Sequence, residues 1–444
     1  MSGAAMYTLS DFKWEYPLLR PPACILIDDP TPGVNPLFQF ASQVPPGSKF
    51  YHYYSSGGRW YFTQDESMRH PIAERVDPSF IHEFASVIKS NGVKGKMSVI
   101  PCPGGIGRID RSLMGVPDQV REDFIRVVRD ELGSNLDVSP ELITHTNAFD
   151  ITRGVMRSDL SEHEWSQSRS VEELTEYVSY AFEVLRSAGL VATGVTSPCD
   201  FGAEVEGEYA EAIRRASKRI NDANVAWYFL RVDEQSLNVS PRLVILDREH
   251  GEAVVSIVSA TGDPFWSSQL TDEPFEEWVG SAVDPMVSGD GGSGRLVDLV
   301  RYRSPVVMLT HWQSLYSNGT RFGLKALDEL LKRFNTHLGE DIIWMKCSEL
   351  ASYVACTHNT EYRVLDGGRL IRVSTPFTCR LHTVSFHGDP TPRRVSVDDV
   401  DAERVEKPSE LAPGKWTLYD GRVVVVPPES AKGEHPHTWS ISLD

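Results

Sequence analysis

The chain has 444 residues, 41% of them hydrophobic and 24% charged, with a formal net charge of -18. It is too long for one ordinary domain of roughly 100–200 residues, and its composition is that of a globular chain with a sizeable core. A chain this acidic, with no Lys/Arg cluster, excludes nucleic acid and anionic membranes as expected partners.

The opening segment, MSGAAMYTLSDFKWEYPLLRPP, has no basic stretch followed by an apolar one, so it does not read as a secretory signal. No segment approaches the ~18 consecutive apolar residues of a membrane helix. Cys24, Cys102, Cys199, Cys347, Cys356 and Cys379 are scattered and form no CxxC pair. They read as buried free thiols in a reducing cytoplasm. A homo-oligomer is compatible with the sequence.

Alternation of strand and helix signals begins at Ala23. ACILID (Ala23–Asp28) is a short apolar run before Pro30 and predicts a buried parallel strand. A Pro/Gly/aromatic-rich loop, Thr31 to Val76, comes next. Asp77 caps a predicted helix to Ser90, with Pro78 at its first position and Gly92 past its end. GKMSVIP (Gly95–Pro101) predicts a strand, and Pro117–Leu132 an amphipathic helix. ELITH (Glu141–His145) predicts the next strand. Ser170–Gly189 carries an N-cap serine, Glu173 three residues later and a glycine stop, so it predicts a helix. Val191–Ser197 predicts a strand, Glu206–Asp222 a helix, and Ala226–Val232 and Ala253–Ala260 further strands. Pro305–His311 is a strand, Gly323–Gly339 a helix and Asp341–Lys346 a last strand, and SELASYVA closes the run near Ala355.

Strands alternating with helices predict parallel β-α units, and this many units favour a barrel. The expected fold class is α/β: a distorted (β/α) barrel over residues 1–356. After Thr357 short alternating segments take over, including an Asp-Gly hairpin turn at Asp420–Gly421. Residues 357–444 therefore predict a small antiparallel β-sandwich domain.

In such a barrel the functional residues stand at the C-terminal strand ends. The residues at those ends are Asp28 and Asp29; His145, Thr146 and Asn147; Ser197 to Gly202; and His311 with Trp312. Two carboxylates and two histidines at separate strand ends can converge. The aromatics Trp60, Trp165, Trp266 and Trp312 could line a sugar platform or fill the core.

Four of these segments resemble, in order, the motifs of the polysaccharide deacetylases, the NodB-homology carbohydrate esterase family. They are ILIDDP, THTNAF, SPCDFG and VVMLTHW, and the resemblance spans Ala23 to Ala355. It implies a metal-dependent amidohydrolase that removes acetyl groups from N-acetylated sugars. Asp29 and His145 would be metal ligands, with zinc or a similar divalent ion as cofactor. Asp28 would be the general base, His311 the general acid, and the Phe201 backbone N–H an oxyanion donor. Asn147, Asp200 and Trp312 would contact substrate.

The chain departs from the family pattern in three places. Phe149 stands where the family's second-motif histidine is usual; His163 in LSEHEW is the replacement ligand, with Asn147 and Asp150 the other candidates. Pro198 replaces an arginine that would orient the catalytic aspartate. The Asp/Trp fourth motif has no clear counterpart, with WYFLRVD and PFW the nearest material. The leading expectation is a metal-dependent hydrolase of a C–N bond acting on a small-molecule or oligosaccharide substrate. The competing one is a catalytically degenerate barrel that binds carbohydrate.

Overall fold

A computed structural model describes residues 6–43, 73–269, 271–429 and 438–444. Strand β1 (Thr8–Trp14) precedes β2 (Pro22–Asp28), in which every residue is buried. Ala23, Ile25 and Ile27 pack into the large core with the helices Phe80–Ser90 and Phe322–Leu338. Cys24 and Leu26 point the other way, into a second core with Trp227, Val255 and Val307. A strand buried on both faces is what an unbroken apolar run predicts.

β2 lies between β3 (Gly95–Val99) and β11 (Val306–His311), and β3 pairs with β4 (Leu136–Pro140), all in parallel. A Cβ on Gly95 would sit 1.8 Å from the Ile25 carbonyl oxygen, so this crossing admits only glycine. The hairpin β5 (Asn147–Asp150) and β6 (Val155–Ser161) stands apart. A second sheet holds β7 (Gly194–Thr196), β8 (Val225–Val232) and β10 (Glu252–Ser259) in parallel, with β9 (Arg242–Asp247) antiparallel at its edge. The two sheets meet at both ends. The Thr193 N–H donates to the Val138 carbonyl at 3.1 Å, and the Ala260 N–H donates to the Val307 carbonyl at 2.8 Å. The short β12 (Ile343–Trp344) pairs with β2, and the helix Cys347–Thr357 comes after it.

The remaining strands are β13 (Glu361–Leu365), β14 (Leu370–Ser374), β15 (Val384–Asp389), β16 (Val395–Val397), β17 (Val400–Asp401), β18 (Glu403–Arg404), β19 (Lys415–Tyr419), β20 (Arg422–Val426) and β21 (Thr438–Leu443). They form two sheets, one ordered β13-β14-β21-β16-β17, the other β1-β15-β20-β19-β18. Asp420 and Gly421 join β19 to β20 with φ of 49° and 71°, the positive pair a tight hairpin turn requires. The N-terminal strand β1 thus pairs with a strand of the tail. Among the described residues no helix is long and apolar enough to cross a membrane.

One predicted strand shifts. Glu141–His145 is not extended; the strand is Leu136–Pro140, and residues 141–146 form the loop beyond its end. All five residues of β4 are buried, with Leu136 and Val138 in the large core. Leu142 and His145 then take φ of 41° and 75°, which no strand accommodates. The chemistry-bearing residues of ELITH consequently stand in a strand-end loop.

Candidate active site

Asp28 ends β2, and Asp29 comes next with φ 69°. Left-handed backbone is costly for most residues and less so for Asp and His, and such positions gather at functional sites. The turn is held by its own amide: the Asp29 N–H donates to Glu141 Oε2 at 2.7 Å and to Ser98 Oγ at 3.2 Å. The Ser98 hydroxyl donates to the same Glu141 oxygen at 2.6 Å. On the far side, the Gln313 amide donates to Asp29 Oδ2. Each carboxylate therefore has one oxygen tied down. The remaining oxygens, Asp29 Oδ1 and Glu141 Oε1, lie 2.7 and 3.4 Å from His145 Nε2.

His145 is fixed from behind. Glu162 Oε2 accepts the His145 N–H at 2.9 Å. Glu162 Oε1 accepts the N–H groups of Ile143 and Thr144 at 3.0 and 3.2 Å and the Tyr177 hydroxyl at 2.6 Å. Burial pushes the Glu162 carboxyl up to about 7 against these donors. Burial acts to lower the His145 pKa, yet Asp29 and Glu141 hold it well above the usual imidazole range. Burial acts to raise that of Asp29, and His145 overrides it, leaving it lowered.

Asp29, Glu141 and His145 are buried, and one donor atom from each lies within 4.8 Å of the others. Two carboxylates, each with its other oxygen held by a hydrogen bond, and one imidazole, whose residue is anchored through its backbone N–H on Glu162, suit a divalent cation such as zinc. The donor set fits the metal that the resemblance implies, with Glu141 as its third member. Sequence reasoning misses Glu141 because ELITH reads as the body of a strand. Its spacing of four residues before His145 is the available signal.

His163 stands outside this group. Its Nδ1 donates to the Asp200 carbonyl at 3.1 Å, so its Nε2 accepts from the Gln167 amide at 3.0 Å. Asn147 donates to the Arg157 carbonyl at 2.8 Å, across the β5–β6 hairpin. Asp150 caps the N–H groups of Thr152 and Arg153 at 3.1 and 2.9 Å. All three serve local structure. The Phe201 N–H donates to the Pro198 carbonyl at 2.8 Å, closing its own turn, and its ring stacks on Tyr177. In this arrangement that N–H is not available to an oxyanion. Asp200 takes φ 62° in the same turn.

His311 ends β11, directly in register with Asp28. Its Nδ1 donates to Asp263 Oδ2 at 2.9 Å, and its backbone N–H donates to the same oxygen at 3.1 Å. The Phe265 N–H and the Thr310 hydroxyl occupy Asp263 Oδ1 at 2.8 and 3.2 Å. Burial lowers the His311 pKa, but the Asp263 bond and the nearby carboxylates raise it to about 9. Asp263 is not singled out by the sequence; it lies just beyond the expected strand Ala253–Ala260, beside the PFW segment. Asp28 accepts from Lys96 Nζ, which also donates to Thr196 Oγ1 at 2.8 Å. Burial raises the Asp28 pKa and Lys96 only partly offsets it.

The aromatics divide. Trp266 meets the His311 ring edge-on at 5.1 Å. Trp312 is core: it packs edge-on against Phe80 and Phe84 at 4.5 and 5.3 Å and is 1% exposed, so it cannot face a substrate here. Trp165 stacks on Tyr177 at 4.2 Å. Trp60 lies outside the described residues.

No family model and no curated protein matches the chain. Among solved structures it is similar to a CE4 family pseudoenzyme, a mutant with restored enzymatic activity. That match has 8% identity and a TM-score of 0.33, over 76% of this chain and 70% of the other. It is also similar to the 4-alpha-glucanotransferase from Thermococcus litoralis, at 13% identity and a TM-score of 0.34, over 61% of this chain and 35% of that one. A third is the Thermotoga maritima alpha-fucosidase in complex with fucose, at 13% identity and a TM-score of 0.27, over 97% of both chains. The chemistry of the site therefore rests on its own residues.

Proposed function

We propose that this protein is a metal-dependent hydrolase of a non-peptide amide C–N bond, with the N-deacetylation of a carbohydrate as its reaction. The observation that carries the reading is convergence. A carboxylate–carboxylate–imidazole group and a His–Asp pair come from distant strand ends, with Asp28 as register partner of the histidine. The sugar rests on the motif resemblance. We also read the parallel strands as closing into a barrel, supported by the hydrogen bonds that join β4 to β7 and β10 to β11, with residues 357–444 as a separate β domain that borrows β1.

Asp29, Glu141 and His145 would hold the cation, which when bound acidifies a water and polarises an amide carbonyl. Asp28 acts as base through Oδ2, since Lys96 engages Oδ1. His311 is held protonated by Asp263 and keeps Nε2 for the leaving nitrogen, to which it gives its proton. The amide plus water then yields a carboxylate and an amine.

The Lys96–Asp28 pair and the occupied Phe201 N–H favour a second reading, a degenerate barrel that binds carbohydrate without turning it over. Acetate release from N-acetylated sugars by the zinc-loaded protein, with metal content measured in parent and Asp29→Ala, separates the two. One equivalent lost in the variant, with turnover in the parent, supports the hydrolase. No metal at the Asp29 site and no turnover in the parent supports the binding protein, and metal that is not lost in the variant removes the hydrolase site as drawn.

A further inference from the structure

Three side chains outside this group come together beside the helix Cys347–Thr357. Cys356 lies in the last turn of the helix Cys347–Thr357, and Cys379 and His382 lie in the loop between β14 and β15. All three are buried, and a donor atom of each lies within 4.8 Å of the other two. We propose that Cys356, Cys379 and His382 form a second metal site, which takes a thiophilic divalent ion of the zinc type.

The donor set is two sulfurs and one imidazole, the kind that selects zinc and its soft relatives. Cys379 and His382 are separated by two residues, the short spacing that lets one turn supply two ligands. The turn carries backbone strain: Leu381 has φ 55°, where a bulky side chain is a rare occupant. Each thiol donates its proton to a backbone carbonyl, Cys356 to Phe377 at 3.5 Å and Cys379 to Arg380 at 3.1 Å. The two sulfurs also hydrogen-bond each other, and an ion that binds both would release the two thiol protons to solvent. The His382 ring is set by aromatic neighbours, Trp14 edge-on at 4.6 Å and Trp439 at 6.3 Å.

Charge balance supports the same ion. A divalent cation with two thiolates and a neutral imidazole carries no net charge, so burying the assembly escapes the cost of burying a bare ion. Three protein donors leave one position for a small ligand such as water. The site ties the helix Cys347–Thr357 to a loop whose neighbours Trp14 and Trp439 belong to β1 and β21, one from each sheet of the tail. It would act as a clamp between the parallel strands and the tail, independent of the hydrolase reading.

The test is cadmium titration of the full chain, purified under reducing conditions and stripped with chelator. Thiolate-to-cadmium charge transfer gives an ultraviolet band that the Asp29–Glu141–His145 group cannot produce. The band should saturate at one equivalent and persist in Asp29→Asn. It should also persist in Cys347→Ser, whose sulfur lies 3.5 Å from Cys24 in the other close thiol pair. It should vanish in Cys356→Ser and Cys379→Ser, along with the upward shift of the melting midpoint that zinc gives the parent. Circular dichroism checks that the variants fold. If the serine variants do not fold, His382→Gln keeps both thiols and should bind cadmium ~10-fold or more weakly. No band in the folded parent, a band that survives Cys379→Ser, affinity unchanged in His382→Gln, or a Cys356–Cys379 disulfide recovered from zinc-supplemented cells overturns the site.

Discussion

Asp28 and His311 are register partners across the β2–β11 ladder, so two residues 283 positions apart leave the sheet on the same face. Their immediate partners differ. Asp28 meets Lys96, whereas His311 meets the carboxylate of Asp263. One is thus a buried acid beside a cation, the other a half-buried base beside an anion. That asymmetry is what a proton donor and a proton acceptor on one substrate need.

His311 should titrate near 9 in the metal-free protein, as read from its ring resonances in NMR. A raised imidazole pKa keeps the ring protonated at neutrality. Its contribution to stability is complete below the ordinary ~6.5. That contribution is lost as pH rises through about 9. Asp263→Asn should bring the titration down toward the ordinary value. A titration unmoved by that substitution would show that Asp263 does not set it.

Much of this arrangement is legible in the sequence, for identifiable reasons. ACILID and PVVMLTH are apolar runs ending in polar residues, so both the strands and the strand-end positions of Asp28, Asp29 and His311 can be read. His145 is reached by the same reasoning, but from the wrong strand. Leu136–Pro140 contains Asp137 and Ser139, which break the apolar run, and ELITH looks the better strand. Glu141 is lost with that error. Asp263 and Gln313 cannot be read, because each is singled out by a contact with a residue dozens to hundreds of positions away. His163 is suggested by its residue type and its place in the connection between the expected strand Glu141–His145 and the helix Ser170–Gly189. β1 is missed because its sheet partner, β15, lies at the other end of the chain.

Gln313 should matter to metal binding although it is not a ligand. Its amide holds Asp29 Oδ2, which leaves Oδ1 turned toward His145. Gln313→Leu removes that hold at similar volume. Zinc affinity should fall roughly 10–100-fold by calorimetry, with the fold retained. An unchanged affinity would mean that the Ser98 and Glu141 bonds alone orient Asp29.

Lys96, on β3, is 0% exposed and joins Asp28 at the end of β2 to Thr196 at the end of β7. Lys96→Met leaves a carboxylate buried without its cation and should destabilise the protein by about 3–5 kcal/mol in denaturant melts at neutral pH. Adding Asp28→Asn removes the stranded charge, so the double variant should regain part of that loss. Additive losses would show that the pair is not coupled. Under the proposed mechanism, in which Asp28 is the base, the double variant should also be inactive.

Glu162 makes the strongest claim on the His145 loop. One carboxylate accepts from three successive backbone amides, Ile143, Thr144 and His145, and from the Tyr177 hydroxyl. Those amides cannot pair along a strand, because residues 141–146 leave β4 in a turn with two left-handed positions, Leu142 and His145. Nor can water reach them, since Ile143, Thr144 and His145 are all buried. The carboxylate therefore stands in for a missing sheet neighbour, and His145 is aimed at Asp29 because its own N–H is anchored there. Glu162→Ala should strand several buried donors at about 1–3 kcal/mol each. The variant should be strongly destabilised, by thermal or denaturant melting. Glu162→Gln keeps the shape and one acceptor oxygen but offers an NH2 group to donors that need an acceptor, so its loss should be intermediate. In that milder variant the His145 amide should exchange faster with solvent, and zinc affinity should drop while the melting midpoint falls only in part. If Glu162→Gln melts like the parent and binds zinc as tightly, the loop is held by something else, and Glu162 is not the anchor that aims His145 at the site.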